Sequence, residues 1–254
     1  MMLGELKSLL SELKYSNLVF FDTETTGVNP DKGDRIIDLA FIAVRKDGQI
    51  RQEDVYVQLP EGQTIPEKIV RLTGITDMAL LGGISEKRAA ELFAGMITKD
   101  TLLIAHNAQF DISFVAYMFM RYMKEHPEWI STLSACDYLD TLTVYKDRRP
   151  YPHRLANAIL AYGLQNRVRN DHRAINDVIA LFEITKAMAE ERNDLISYIN
   201  IFGYNPKYGI SGKKLKKVTY HPQAFRDYMC SEEMTLPAII KREEENNVQP
   251  SDGS

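Results

Sequence analysis

The chain has 254 residues, of which 44% are hydrophobic and 26% are charged, and its formal net charge is -4. This length supports one large domain, or a domain with an appendage, around a sizeable core. The negative charge excludes a protein that coats nucleic acid through overall basicity, although a local basic patch is compatible with it. The two cysteines, Cys136 and Cys230, form neither a disulfide framework nor a metal-binding spacing, which is typical of the reducing cytosol.

Residues 1–16 predict an amphipathic surface helix and not a signal peptide. Leucines repeat there at helical spacing, with charged residues between them. No stretch of the chain reaches the roughly 18 apolar residues that a membrane span needs. We therefore expect a cytoplasmic protein that does not associate with a membrane.

The central part of the chain predicts strands first and then alternating strands and helices. Five strands are predicted, at residues 17–22, 35–44, 53–59, 101–107 and 136–141. Five helices are predicted, over residues 65–76, 84–97, 109–123, 153–164 and 173–191. This order indicates an α/β fold with a mixed sheet and helices on both faces.

The composition changes after about residue 194. Residues 193–240 are predicted to form a basic, turn-rich appendage, and residues 241–254 an acidic, flexible tail. The appendage contains "GKKLKK" (212–217), whose lysines suit either substrate phosphates or a solvated loop.

Two carboxylates end the first predicted strand. In "VFFDTETTGV" (19–28), Asp22 and Glu24 follow an apolar run and precede a threonine pair and a glycine. Strand side chains alternate between faces, so both carboxylates should lie side by side at the carboxyl end of the strand, where open α/β sheets bind ligands. Their repulsion is about 3 kcal/mol at ~5 Å and an effective dielectric near 20, which favours a bound cation over two solvated turn residues.

A third carboxylate follows the fourth predicted strand. In "LIAHNAQFDISF" (103–114) the strand ends at His106 and Asn107, and Asp111 enters the first turns of a buried helix. An acid among apolar neighbours is costly unless it is paired or binds a metal. Taken alone, Asp111 equally suits a helix N-terminal acid that the helix dipole stabilises.

The fourth carboxylate, Asp177, lies within the last predicted helix, and His172 precedes that helix. His172 can therefore hang on a loop above the site. Such a histidine is usually a surface or capping residue, so its functional interpretation depends on the other three signals.

Three stretches together resemble one family. "DTETTG" (22–27), "HNAQFD" (106–111) and "HRAIND" (172–177) resemble the signature blocks of the DnaQ-like 3′–5′ exonucleases, the group typified by the proofreading subunit of bacterial DNA polymerase III and by RNase T. Their order and spacing agree with the family pattern. The resemblance covers roughly residues 15–192, and we predict an exonuclease domain over residues 17–192.

The resemblance implies an RNase H-like fold, with a central mixed five-stranded sheet whose first three strands are antiparallel. It assigns the four acids Asp22, Glu24, Asp111 and Asp177 to metal binding, and His172 to the catalytic histidine of the family's histidine branch. Four carboxylates suit two divalent cations, and oxygen ligands with phosphate substrates favour Mg²⁺ or Mn²⁺. The implied reaction is hydrolysis at a nucleic acid 3′ end by a two-metal mechanism, in which the imidazole takes the proton of water.

Further site residues follow from the same resemblance. The loop expected to bind the terminal nucleotide contains Thr23, Thr25, Thr26 and Gly27, with Gly27 allowing close approach. His106 and Asn107 border the site. Asp38 stands where many relatives carry Glu, and we expect it to support the site or the fold.

Several alternatives remain at this point. "FFDTETT" (20–26) loosely resembles the aspartyl-phosphatase motif of haloacid dehalogenase-like enzymes, but no later pair of aspartates follows a lysine at suitable spacing. A nucleotide-processing hydrolase or a polymerase-associated binding subunit could use the same fold. The sequence does not distinguish DNA from RNA as substrate, and a polymerase or another replication or repair protein is a possible partner.

Overall fold

The computed structural model describes residues 15–169, 173–202, 214–215 and 218–220. The predicted N-terminal helix, apart from Tyr15 and Ser16, and the acidic tail lie outside the described residues. His172 and most of the predicted basic appendage lie outside them as well.

A five-stranded mixed sheet forms the centre of the fold. Its strands are β1 (Asn17–Thr25), β2 (Ile36–Arg45), β3 (Ile50–Tyr56), β4 (Thr101–Ala105) and β5 (Asp137–Asp140). Their order is β3-β2-β1-β4-β5; β1, β2 and β3 pair antiparallel, whereas β4 and β5 extend the sheet in parallel. The predicted fold class, an RNase H-like α/β fold with antiparallel first strands, is confirmed.

Eight α-helices lie among the described residues. They are α1 (Glu67–Thr73), α2 (Asp77–Leu80), α3 (Glu86–Ala94), α4 (Ala108–Met120), α5 (Pro127–Ala135), α6 (Thr141–Arg148), α7 (Leu155–Ala161) and α8 (Ala174–Glu191). In this part of the chain, no helix is both long enough and apolar enough to cross a bilayer. A 3₁₀ turn over Leu195–Tyr198 leads to a small second sheet of β6 (Ile201–Phe202), β7 (Lys214–Leu215) and β8 (Val218–Tyr220).

The structure differs from the predicted elements in three places. Strand β3 begins earlier than predicted because the hairpin turn closes tightly, with Arg45 N donating to Gln49 O and Gly48 at a φ of 89°. The helix predicted over 65–76 is shorter in the structure, and α1 ends at Gly74, whose φ of 72° is left-handed. Helices α2, α5 and α6 were not predicted. Helix α2 is a single turn and too short to leave a periodic pattern, and the Ser, Thr and β-branched residues of α5 and α6 favour other conformations locally.

The alternation of side chains along β1 divides the core into two layers. Val19 and Phe21 pack in the layer that holds α3, α4 and α5, whereas Leu18 and Phe20 pack in the layer that holds α7 and α8. Asp22 and Glu24 follow Leu18 and Phe20 at steps of two residues. Both carboxylates therefore lie on the face of the sheet that α8 covers.

The aromatic centre of the first layer provides a test of this packing. Phe93 is fully buried, and its ring centroid lies 5.2 Å from that of Phe21 and 5.8 Å from that of Phe41. We expect Phe93→Ala to lower the free energy of unfolding by about 3–5 kcal/mol, because it leaves a cavity at the contact of helix and sheet. Urea unfolding would measure this. Leu160→Ala, at a position that is 62% exposed on α7, is the control and should change stability by less than about 0.5 kcal/mol; equal effects would contradict the assigned core.

Candidate active site and metal centre

Three carboxylates converge at the carboxyl end of β1. Asp22 and Glu24 come from the strand, and Asp177 comes from the first turn of α8, where it is buried. One ligand oxygen from each of the three acids lies within 4.8 Å of the others. This arrangement suits a divalent cation, which prefers several oxygen ligands.

Asp111 approaches the same strand end from the opposite layer. Its buried carboxylate lies in the first turn of α4, where Oδ1 accepts hydrogen bonds from Thr23 N at 3.0 Å and Thr23 Oγ1 at 2.7 Å. Thr23 lies between Asp22 and Glu24, so it fixes Asp111 beside both of them. Asp111 is not part of the three-acid cluster, but its charge acts on Asp22 strongly enough to raise the pKa of that residue.

Burial and mutual repulsion raise the pKa values of these acids. Burial is the larger cause for Asp22, followed by the charges of Asp111 and Asp177, and together they hold its pKa well above the ordinary range. The same causes raise the pKa of Glu24 to about 8, and burial raises that of Asp111 to about 7. A bound cation would reverse this effect by stabilising the ionised carboxylates.

Arg173 holds the start of α8 against the sheet. Its Nε donates to Asp38 Oδ2 at 3.2 Å, and its Nη2 lies 3.6 Å from Asp54 Oδ2. Asp38 is fully buried and is the cross-strand partner of Glu24. Asp38 therefore ties the helix that carries Asp177 to the strands beside the acids, which fits the supporting role expected for it.

The turn after β1 is shaped by Asp34. A register shift falls between Glu24 and Thr25, and the Thr26 N–H donates to Arg35 O. A Cβ on Gly27 would lie 2.2 Å from Asp34 Oδ2, so any larger residue here would displace that carboxylate. The space beside Gly27, where a Cβ would lie, is thus occupied by the Asp34 carboxylate and not only open to a nucleotide.

The segment after β4 is held by one buried acid. Asp140 Oδ1 accepts hydrogen bonds from Asn107 N at 2.9 Å and Leu142 N at 3.0 Å, so it supports the start of α4 and caps α6. Asn107 has a left-handed φ of 73° and is exposed. His106 is held through Nε2, which donates to His153 O at 3.1 Å, and burial lowers its pKa, so the ring is neutral at neutral pH.

The structure thus gathers most of the predicted site residues at one end of the sheet. Thr23, Thr25 and Thr26 are all buried, and the N–H groups of Thr23 and Thr26 already bond within the protein. The individual roles of the site residues stay predictions, and His172 lies outside the described residues. Sequence reasoning missed Arg173, although it immediately follows His172 in "HRAIND", and it gave no role to Asp140 in "YLDTL".

The fold and the acidic cluster together define a class of enzyme. Carboxylates at the end of the first strand of an RNase H-like sheet are typical of nucleases that depend on divalent metal ions. The chain belongs to the exonuclease family represented by RNase T, whose family model matches residues 19–185. It is a 3′–5′ exonuclease, and dependence on divalent metal ions is general in this family.

Several known proteins are similar to this chain. The DNA polymerase III subunit epsilon of Buchnera aphidicola subsp. Acyrthosiphon pisum (strain APS) is 28% identical over 204 residues, which are 78% of this chain and 81% of that protein. The 3′-5′ exonuclease DinG of Bacillus subtilis (strain 168) is 31% identical over 161 residues, which are 63% of this chain but only 16% of that protein. A crystal structure of Escherichia coli Exonuclease I in complex with a dT13 oligonucleotide has the same fold, with a TM-score of 0.62, 22% identity, and coverage of 72% of this chain and 43% of that one.

In the absence of metal ions, stability should fall as the pH rises. The pKa values of Glu24 and Asp111 are about 8 and about 7 in the folded protein, against about 4 in an unfolded chain, so the folded state holds more protons across that window. The free energy of unfolding therefore decreases from about pH 4 to about pH 8. Urea unfolding in a chelator should give a value at least about 1.4 kcal/mol lower at about pH 8.5 than at about pH 5.5, which corresponds to one pKa unit.

Two comparisons identify the source of this pH dependence. Mn²⁺ should remove most of it, because the cation stabilises the ionised acids, and Asp22→Asn should flatten it in the chelator. Glu190→Gln, at an exposed position on α8, is the control and should leave it unchanged. An unchanged slope in Asp22→Asn would assign the effect to groups outside the cluster.

Proposed function

We propose that the chain removes nucleotides from the 3′ end of a nucleic acid, with Asp22, Glu24, Asp111 and Asp177 holding two divalent cations. The observation that carries this proposal is the convergence of Asp22, Glu24 and Asp177 within 4.8 Å of one another. The raised pKa values support it, because a cluster that repels itself this strongly is stabilised by bound positive charge.

The proposed cations are Mg²⁺ or Mn²⁺, because an all-oxygen ligand set suits hard cations. When bound, two such ions activate the attacking water and stabilise the leaving 3′ oxygen. The residues of this chain hold the ions and orient the substrate. The hydrogen bonds from Thr23 hold Asp111 at the same strand end, and its charge acts on Asp22, which supports its inclusion among the ligands.

His172 is proposed as the general base that takes the proton of the attacking water. Imidazole titrates near neutral pH, so it can accept this proton and release it after each turnover. The adjoining residue, Arg173, is anchored to Asp38, the cross-strand partner of Glu24, and this contact supports the assignment of the "HRAIND" stretch to the site.

The proposed substrate is single-stranded DNA, gripped at its 3′ nucleotide by the loop of Thr23, Thr25, Thr26 and Gly27, with His106 and Asn107 at the border. The likeness to Exonuclease I in complex with dT13 supports this choice of polymer. The similarity to polymerase III epsilon subunits supports a replication or repair protein as a partner, and we propose a cytoplasmic location for this activity.

Asp177→Asn should nearly abolish cleavage of a 3′-ended oligonucleotide while the domain stays folded. We expect a loss greater than the roughly 10–100-fold that follows removal of an outer partner of a metal site. Gel analysis of a 5′-labelled strand would measure the rate, and the melting temperature without metal should be equal or higher because one repulsive charge is removed. Glu190→Gln on the same helix is the matched control; wild-type rates in Asp177→Asn, or full activity in excess chelator, would contradict the proposal.

His172→Ala should retain metal binding but lose roughly 10²–10⁴ in rate, the usual contribution of a general base. Metal binding can be followed through the stabilisation by Mn²⁺, independently of cleavage. The rising limb of the pH–rate profile should shift or disappear as well. A variant that is slower but keeps the wild-type profile would make His172 a structural residue.

A further inference from the structure

Residues 141–169 are strongly basic in a chain whose net charge is negative. They contain six lysines and arginines and one aspartate. Two of these arginines, Arg148 and Arg149, form ion pairs with Glu191 at the end of α8 and therefore hold the fold together. The other three arginines of this stretch need another explanation.

These three arginines face solvent. Arg154 precedes α7, and Arg167 and Arg169 follow it; all three are exposed. Within the part of the chain that the structure describes, none of them forms an ion pair. Their charges are thus available to a ligand, and such arginines suit phosphate groups.

An exposed tyrosine lies three residues before Arg154, in the loop between α6 and α7. Tyr151 is 85% exposed, more than any other large hydrophobic side chain among the described residues. Its loop is closed by His153 Nε2, which donates to Arg149 O at 2.9 Å, and the rings of Tyr151 and His153 meet edge to face. An aromatic face held in solvent on a closed loop suits stacking with an unpaired base.

The loop that carries Tyr151 and Arg154 is linked to the acidic site, and so is Arg169. His153 O accepts the hydrogen bond of His106, which begins the "HNAQFD" stretch. Arg169 is four residues from Arg173, whose side chain contacts Asp38 opposite Glu24. Four residues span at most about 14 Å, so Arg169 lies within reach of the first few nucleotides of a strand whose 3′ end is at the acids.

We propose that Tyr151, Arg154, Arg167 and Arg169, here the arginine surface, bind the unpaired strand upstream of the 3′-terminal nucleotide. The arginines contact phosphates and Tyr151 stacks on a base. This inference rests on the proposed exonuclease function and adds to it a site for the body of the substrate. An unpaired strand fits better than a duplex, because the face of Tyr151 can stack only on a base that is not already enclosed in a helix.

The test compares two triple variants with the same change of charge. Arg154→Gln, Arg167→Gln and Arg169→Gln remove the proposed contacts. Arg45→Gln, Lys46→Gln and Lys99→Gln are the control, since these exposed cations lie at the end of the sheet where β1 begins, opposite its carboxylates. Fluorescence anisotropy would give the Kd for a labelled dT12 in chelator over a range of salt, and cleavage of dT12 and of the dinucleotide dTdT would be measured separately.

In the arginine-surface variant, the slope of log Kd against log salt should fall by about 2, since each phosphate contact on a single strand contributes ~0.7. Cleavage of dT12 should fall more than cleavage of dTdT, because the single phosphate of dTdT is the scissile one and the dinucleotide offers the arginines no upstream phosphate. Tyr151→Ala should weaken dT12 binding at least about fivefold through lost stacking, with little change in the salt slope.

Two results would overturn the arginine surface, and a third would contradict the proposed function alone. Equal salt slopes in the two triple variants would overturn the arginine surface as a nucleic-acid site and favour an acidic protein as its ligand. Equal losses on dT12 and dTdT would also overturn it, because the effect would then lie at the acids. Failure of the wild-type protein to cleave either substrate, with dT12 binding still dependent on the arginines, would contradict the proposed function and leave the binding surface standing.

Discussion

Repulsion between carboxylates at the end of β1 is the constraint on which the rest of this structure depends. At 4.8 Å and an effective dielectric near 20, two ionised acids repel each other by roughly 3 kcal/mol. The fold brings together Asp22, Glu24 and Asp177 and fixes Asp111 against the same strand. The surrounding structure must therefore hold the acids in place without a cation and leave them able to accept one.

Each acid is held by a different part of the fold. The alternation of side chains along β1 places Asp22 and Glu24 on one face. The hydrogen bonds from Thr23 restrain Asp111, and Arg173 fixes the helix that carries Asp177. Because these supports belong to separate elements, the cluster exists only when the sheet and both helical layers are assembled. Repulsion at the site is thus opposed by burial throughout the core, and not by any one contact beside the acids.

The sequence predicted the parts of the site that depend on local patterns. Alternation along β1 was sufficient to place Asp22 and Glu24 on one face, and the resemblance identified Asp111 and Asp177. The contact of Arg173 with Asp38 could not be predicted, because it depends on the register that sets Asp38 opposite Glu24 and on the residue at which α8 begins. Helix α6 was missed for a related reason: its cap, Asp140, also bonds the start of α4, and a contact between distant segments leaves no local pattern.

The outer edge of β5 is covered by Ile199 and Asn200. Ile199 forms an antiparallel bridge with Leu139, and Asn200 donates its N–H to Tyr138 O and accepts from Tyr138 N through its side-chain oxygen. These two residues take the place of a neighbouring strand. Leu195 and Tyr198, just before them, are buried in the layer that holds α8. Open strand edges recruit other strands and promote aggregation. Residues beyond the matched family region therefore protect the edge of the sheet. A shortened protein that ended at residue 192 would expose the unpaired backbone groups of β5 and the apolar surface that Leu195 and Tyr198 cover.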